Sequence, residues 1–387
     1  MMRKNNYNLR LRRAHYPAFT LNELLISMMI VAIVGGAVIY ALAIITKTFG
    51  QADDQTSASY EMEYVWKELS PQFTNIGLCM PNNSALSGSF NISFTGPATD
   101  QPIMAYMGDY TRADREWGCP VTVGKKGAHI APTDSANMVR AKNSDGVYAG
   151  EELFYAWAVP TNERLSKTSD WATTIGSATS FSSNQISADI TFKFYDGVDS
   201  VQKLANFTYN GRRIGISTTK RGANVSSWIL LPSFKIPLLI DAIDTETVTV
   251  RISPYSYFDD SHTPRVDKVN FEGIMNGLEE VHLLQAACLF TENRRLIQRI
   301  YGNSINEFTD KVLGVNILGT YFVFDDERRL LTMYIAGSGN SPSAMPHSFN
   351  VDYLASRLPS FVPYNFIASD DQGFRIIVES ITWRIRN

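Results

Sequence analysis

Three cysteines and five histidines are spread over 387 residues, and no C-x-x-C pair or Cys/His cluster is among them, so a zinc site is not expected. The H-E-x-x-H, G-x-S-x-G, phosphate-loop and dinucleotide-glycine patterns are equally absent, which removes the sequence grounds for those hydrolytic, phosphoryl-transfer and hydride-transfer chemistries. His15, His129, His262, His282 and His347 stand in no recognised Cys or Ser context and read as surface or structural residues. No catalytic residue and no cofactor is predicted. Charge is sparse, at 19% of residues and a formal net of −3. Residues 1–18 carry Arg3, Lys4, Arg10, Arg12 and Arg13 and no acid, so the remainder is more acidic than the total suggests. An acidic body gives no case for nucleic-acid binding, and the pairs Arg212-Arg213, Arg294-Arg295 and Arg328-Arg329 read as strand edges or turns.

The few polar clusters are weak signals. Asp259 and Asp260, with Asp267 downstream, supply oxygens of the kind Ca²⁺ takes, but the spacing is not that of an EF-hand loop and a solvated turn is the favoured reading. An oxidising location would allow one disulfide, for which Cys79 and Cys119 are the natural pair because both sit beside turn-forming residues, Pro81-Asn82 and Gly118/Pro120. Cys288 lies in the apolar run Ala286–Phe290 and reads as a buried, inert thiol.

What the chain does have is one long apolar run. The twenty-three residues from Leu24 to Thr46 carry no formal charge; as a helix they span ~35 Å, enough for a bilayer core of ~30 Å. Basic residues crowd its N-terminal side, whereas Lys47, Asp53 and Asp54 follow it, so the positive-inside rule predicts a cytoplasmic N-terminus and an external body. A secretory signal places its small cleavage residue after the apolar region. Here the order is reversed: the small residue Ala18 comes first, in Pro17-Ala18-Phe19-Thr20-Leu21-Asn22-Glu23-Leu24-Leu25.

That arrangement resembles the prepilin leader of type IV pilins and type II secretion pseudopilins, in which a short basic leader ends in a small residue followed by F-T-L-x-E-L and a long apolar helix. The resemblance implies cleavage between Ala18 and Phe19 by a membrane prepilin peptidase, N-methylation of Phe19, and retention of the span. Family members nearly always carry Gly at the position of Ala18. It further implies that Glu23 sets assembly register: a carboxylate at the edge of an apolar span needs a partner, and the Phe19 amine, one helical turn away or on a neighbouring subunit, is the family's answer. Implied partners are the peptidase, other pilins through the helix, the inner-membrane assembly platform and the bilayer. The implied location is the bacterial inner membrane, single-pass with a periplasmic body, and then the pilus or cell surface.

Beyond the span, Met62, Val65, Trp66, Leu69, Phe73 and Ile76 recur at helical spacing, so the helix is predicted to continue as an amphipathic extension whose apolar face docks on a sheet, with Pro71 kinking or ending it near Ser70. Strands are predicted at Phe90–Phe94, Leu153–Val159, Ala188–Tyr195, Thr247–Ile252, Gly319–Phe324, Arg329–Ile335 and Phe374–Ile385, and paired strands over Trp228–Ile243. Short helices are predicted at Ile305–Val312 and Val351–Arg357, and surface loops at Asn82–Ser89, Thr173–Gln185 and Gly337–Ser343. The glycine and cysteine after the helix, and the closing strand that ends in R-I-R-N, are similar to PilW-like minor pilins. The predicted class is α+β: a leader at 1–18, a transmembrane assembly helix at 19–47, its amphipathic extension at 48–77 and a β-rich extracytoplasmic domain at 78–387.

The expected function is that of a minor pilin or pseudopilin, placed at or near a fibre tip because a body of this size would crowd every position of a thin lattice, and there priming assembly and touching surfaces or ligands. A signal-anchored extracytoplasmic enzyme or carbohydrate-binding protein, and a DNA-capturing pilin, are the competing expectations; the first requires a pocket of convergent carboxylates or histidines, the second a basic face.

Overall fold

The computed structural model describes residues 20–80, 120–131, 135–139, 141–167, 188–216, 228–233, 237–252, 277–301, 308–342, 347–367 and 374–386. The chain divides into two compact units, Met1–Asp53 and Asp54–Asn387. One helix, α1 (Leu21–Phe73, 53 residues), opens the described chain. Everything after it is strand-dominated, with β1 (Val121–Gly124), β2 (Tyr148–Gly150), β3 (Glu152–Lys167), β4 (Ala188–Phe194), α2 (Val198–Ala205), β5 (Thr208–Tyr209), β6 (Arg212–Arg213), β7 (Trp228–Leu230), β8 (Pro237–Ile243) and β9 (Thr247–Ile252). β10 (Glu279–Glu292), β11 (Arg295–Tyr301), β12 (Phe308–Val315), β13 (Ile317–Asp325), β14 (Leu330–Pro342), α3 (His347–Arg357) and β15 (Phe374–Arg384) complete it. The molecule therefore has the expected α+β character, a long apolar N-terminal helix followed by a large β-rich region.

Among the described residues the larger sheet has nine strands in the order β1-β3-β4-β9-β8-β7-β10-β11-β12, with β3 also paired to β10. That extra pairing closes a circuit, β3-β4-β9-β8-β7-β10-β3, in which Leu165, Phe192, Val248, Val250, Leu238, Ile229 and Leu283 are all buried, and Leu238, Ile229 and Leu283 pair across β8, β7 and β10 on one face. Closure removes the edges that short strands such as β7 would otherwise leave open. The smaller sheet has four strands, β15-β14-β13-β2. A main core joins both sheets to the second half of α1, and a satellite cluster built on Leu354, Leu358, Val362, Phe366, Ile376 and Val378 packs α3 on the other face of the smaller sheet.

The second half of α1 lies on its sheets by one narrow stripe. Met62, Val65, Leu69 and Phe73 are fully excluded from solvent, Ala58 nearly so, and Ile76 just beyond the helix is buried too. The spacing of three or four residues keeps all of them on one side of the helix. Phe73 meets Trp383 of β15 and Tyr155 of β3 edge-on, at 4.6 and 5.0 Å between ring centroids. Room for the helix is made by glycine: a Cβ on Gly314 would come within 2.9 Å of Val65, and one on Gly339 within 2.2 Å of the Asp54 Cβ.

Gly339 lies in a stretch whose composition suggests a loop. The Gly/Ser/Asn-rich stretch expected as a loop at Gly337–Ser343 is strand through Pro342, paired from Gly337 with Ile377 to Pro342 with Phe374; its small residues serve close approach of the helix, not a turn. The helix expected at Ile305–Val312 is instead β12 where the residues are described, from Phe308 on, because pairing with β11 overrides the three-residue spacing of its apolar side chains. Pro71 does not end α1 at Ser70; the helix runs to Phe73, and Thr74 closes it with its N–H and hydroxyl donating to the Ser70 carbonyl at 3.0 and 2.7 Å. Burial of Gln72 and Phe73 outweighs the one hydrogen bond that a last-turn proline removes. The expected strand Phe90–Phe94 and the loops Asn82–Ser89 and Thr173–Gln185 lie outside the described residues.

Candidate functional site

The candidate site is α1 itself, read from its first residue to its last. Thr20 and Glu23 form a reciprocal cap: the Thr20 N–H and hydroxyl donate to Glu23 Oε2 at 3.0 and 2.9 Å, and the Glu23 N–H donates to Thr20 Oγ1 at 3.3 Å. This satisfies donors that a helix start leaves without partners and places a negative charge at the positive end of the helix dipole. Glu23 was the predicted register residue; Thr20 was not anticipated, although T-x-x-E before an apolar run is itself the signature of a capping box. Ala18 and Phe19, the predicted cleavage and methylation positions, lie outside the described residues.

From Leu21 to Phe49 the large apolar side chains all face outward, each between 48 and 79% exposed and distributed around every side of the helix. This stretch is long and apolar enough to cross a membrane. Its serine and threonine hydroxyls are satisfied within the helix: Ser27, Thr46 and Thr48 donate to the carbonyls of Leu24, Leu42 and Ile44 at 2.8 to 2.9 Å.

The second half is held by polar contacts on both flanks of its buried stripe. On one flank Glu68 pairs with Lys311 at 2.5 Å and Glu61 accepts the Val315 N–H at 3.3 Å, both on β12. On the other, Trp66 donates to Glu379 and Trp383 donates to Ser70, each at 3.4 Å and both involving β15. Beneath the stripe a buried triad joins helix to sheet: the Tyr155 hydroxyl and the Gln298 amide both donate to Gln72 Oε1, at 2.9 and 2.6 Å, and Gln298 also donates to Tyr155. Burial holds the Tyr155 phenol far above its ordinary pKa, so it stays a donor at every physiological pH. Directional bonds in an otherwise apolar interface restrict the helix to one rotation and one register.

Cys79 follows the helix with a positive φ of 60° and a buried thiol, pushed up to about 12 by burial and then by the charges of Glu279 and Glu280. Its expected partner, Cys119, lies outside the described residues, as do Asp259, Asp260 and Asp267. Cys288 is buried on β10, and burial raises its thiol well above the ordinary value, which makes it unreactive. His129 Nδ1 donates to Glu152 Oε1 over 2.8 Å, and its ring stacks on Phe290 at 3.7 Å between ring centroids. Glu152, itself buried, also accepts the backbone N–H groups of Gly127 and His129 at 2.7 Å. Those bonds fold the turn after β1 onto the sheet. Among the described residues no group of three His, Cys, Asp or Glu side chains is placed to hold a metal ion. No family model, no curated protein and no solved structure matches this chain.

Proposed function

We propose that this chain is a subunit of a type IV pilus-like or pseudopilus fibre, a minor pilin or pseudopilin released from its leader between Ala18 and Phe19 and inserted in the inner membrane by the first half of α1. The observation that carries the reading is one uninterrupted helix with two kinds of surface. Its first half is apolar on all sides and suits lipid and then a bundle of like helices; its second half is one-sided and belongs to the chain's own body. The cap at Thr20 and Glu23 fits the same reading. Glu23 already reaches back to the Thr20 N–H, one residue from the amine that cleavage would create on Phe19. In a water-poor helix bundle that amine and the carboxylate neutralise each other, within a subunit or between two, and so fix the axial position of each subunit. The size of the body favours a place at or near the tip, where it primes assembly and contacts surfaces.

Intact-mass measurement of the protein from cells with and without a prepilin peptidase tests the processing. The expected result is a mature chain starting at methylated Phe19 only where the peptidase is present; a chain that keeps Met1 in both strains refutes it. Glu23→Ala is expected to insert in the membrane normally yet vanish from sheared fibres, and normal incorporation contradicts the role given to Glu23.

A further inference from the structure

The outer edge of the smaller sheet is β15, and its backbone groups alternate in direction. The Ile385 N–H donates inward to the Arg329 carbonyl, whereas the Val378 N–H points the other way, to the Tyr353 hydroxyl at 3.4 Å. Ser380, Thr382 and Arg384 keep the parity of Val378 and so present their N–H and C=O groups outward. All three are exposed, and among the described residues no hydrogen bond engages those groups on that side. The chain itself closes the open stretch at both ends: Tyr353 of α3 holds the Val378 N–H, and the Arg386 N–H donates to the Ile76 carbonyl at 3.1 Å. Between them lies a slot for one short strand, about 27 Å long at ~3.4 Å per residue.

The slot is basic at its far end. Arg329, opposite Ile385, stands there with Arg384 and Arg386, and none of the three has an ion-pair partner among the described residues. The acids of the adjoining turn are already matched, Asp326 and Glu327 with Lys142 at 2.8 and 3.2 Å and Asp325 with Arg328 at 3.7 Å. Glu379 points to the opposite face of β15, where it accepts from Trp66. This edge is therefore unlike the rest of a chain in which Asp and Glu outnumber Lys and Arg, 38 to 35.

We infer that the slot takes a short, extended, acidic segment of another protein, which adds one strand to the smaller sheet. Evenly spaced outward N–H and C=O groups are matched by an extended main chain. Carboxylates on alternate residues of that chain fall on the face that carries Ser380, Thr382 and Arg384. The same arginines deter an apolar strand. A segment that fits between Tyr353 and Ile76 fills the slot once and does not propagate, which suits a subunit at the end of an assembly. The inference rests neither on leader processing nor on the membrane span, so its failure and that of the proposed function are separable.

Fluorescence anisotropy of two N-terminally labelled peptides, E-V-E-V-E and K-V-K-V-K, titrated with the full chain in neutral detergent micelles, tests it. The glutamate peptide is expected to bind saturably and the lysine peptide not to bind. Arg384→Glu, a change at an exposed side chain, and Thr382→Pro, which removes an N–H that the chain's own ladder does not use, should each weaken binding about tenfold or more. N-methylation of the glutamate amides should abolish binding and N-methylation of the valine amides should leave it, because only alternate amides face the edge. The methylated peptides meet the unaltered chain, so they decide the matter even where Thr382→Pro lowers stability. Absence of saturable binding by the glutamate peptide, equal binding of the lysine peptide, or binding that responds to Arg384→Glu and to neither methylation overturns the inference. Self-association of the chain that Thr382→Pro removes also overturns it, by placing a second copy in the slot.

Discussion

The two stretches of α1 on either side of Asp53 and Asp54 have the same backbone and opposite surfaces. Before that point Leu, Ile, Val and Met occupy every side, and none of the large ones is less than 48% exposed. After it, a stripe of Ala58, Met62, Val65, Leu69 and Phe73 is buried while Tyr60, Tyr64 and Glu63 face out. A stripe is satisfied by one partner, the chain's own sheets. An apolar cylinder is satisfied only by surroundings that are apolar on all sides. The difference separates what the chain supplies for itself from what it must find elsewhere.

Substitution should act on the two stretches very differently. The largest effect is expected from Leu69→Ala, which leaves a cavity under the helix and lowers stability of the body by about 2 to 5 kcal/mol in denaturant unfolding; Leu25→Ala, at a position 57% exposed, leaves that transition where it was. Equal effects would erase the distinction. Gly314→Val comes next, about 1 to 3 kcal/mol, because its side chain must displace Val65 and Ile317; an unchanged unfolding midpoint would mean that the helix does not lie on β12 as closely as described. The smallest effect is in pH. Burial lowers the pKa of His282 below 6.5, against the opposing pull of Glu280. Neutral His282 therefore adds stability that is complete above about pH 6.5 and is lost as pH falls through the lowered folded value. His282→Gln should flatten that part of the stability curve of the body, while helicity of the apolar stretch stays constant over the same range; an acid loss of stability that His282→Gln leaves intact would assign it to other groups.

Legibility in the sequence followed the strength of the local pattern. The apolar run and the stripe were plain because each repeats one physical demand over many residues, and β9 at Thr247–Ile252 alternates and was read to its ends. The central hairpin of β10 and β11 was missed. β10 is buried from Val281 to Phe290 without interruption, so no period of two marks it, and its turn uses Asn293-Arg294 in place of a glycine-bearing pair. The setting of Glu23 singles it out in the sequence, whereas nothing local singles out the triad of Gln72, Tyr155 and Gln298, which joins residues more than two hundred positions apart.

The central claim is that one helix carries two surfaces with different partners, and a nitroxide scan along α1 of the full chain in liposomes tests it most directly. With labels at successive positions from Leu25 to Ile45 and from Ala58 to Phe73, the account predicts high oxygen accessibility and low accessibility to a water-soluble nickel chelate all round the first stretch. In the second it predicts immobilisation repeating every 3.6 residues at Ala58, Met62, Val65, Leu69 and Phe73. A 3.6-residue alternation between buried and water-exposed labels in the first stretch, or its absence from the second, would contradict it.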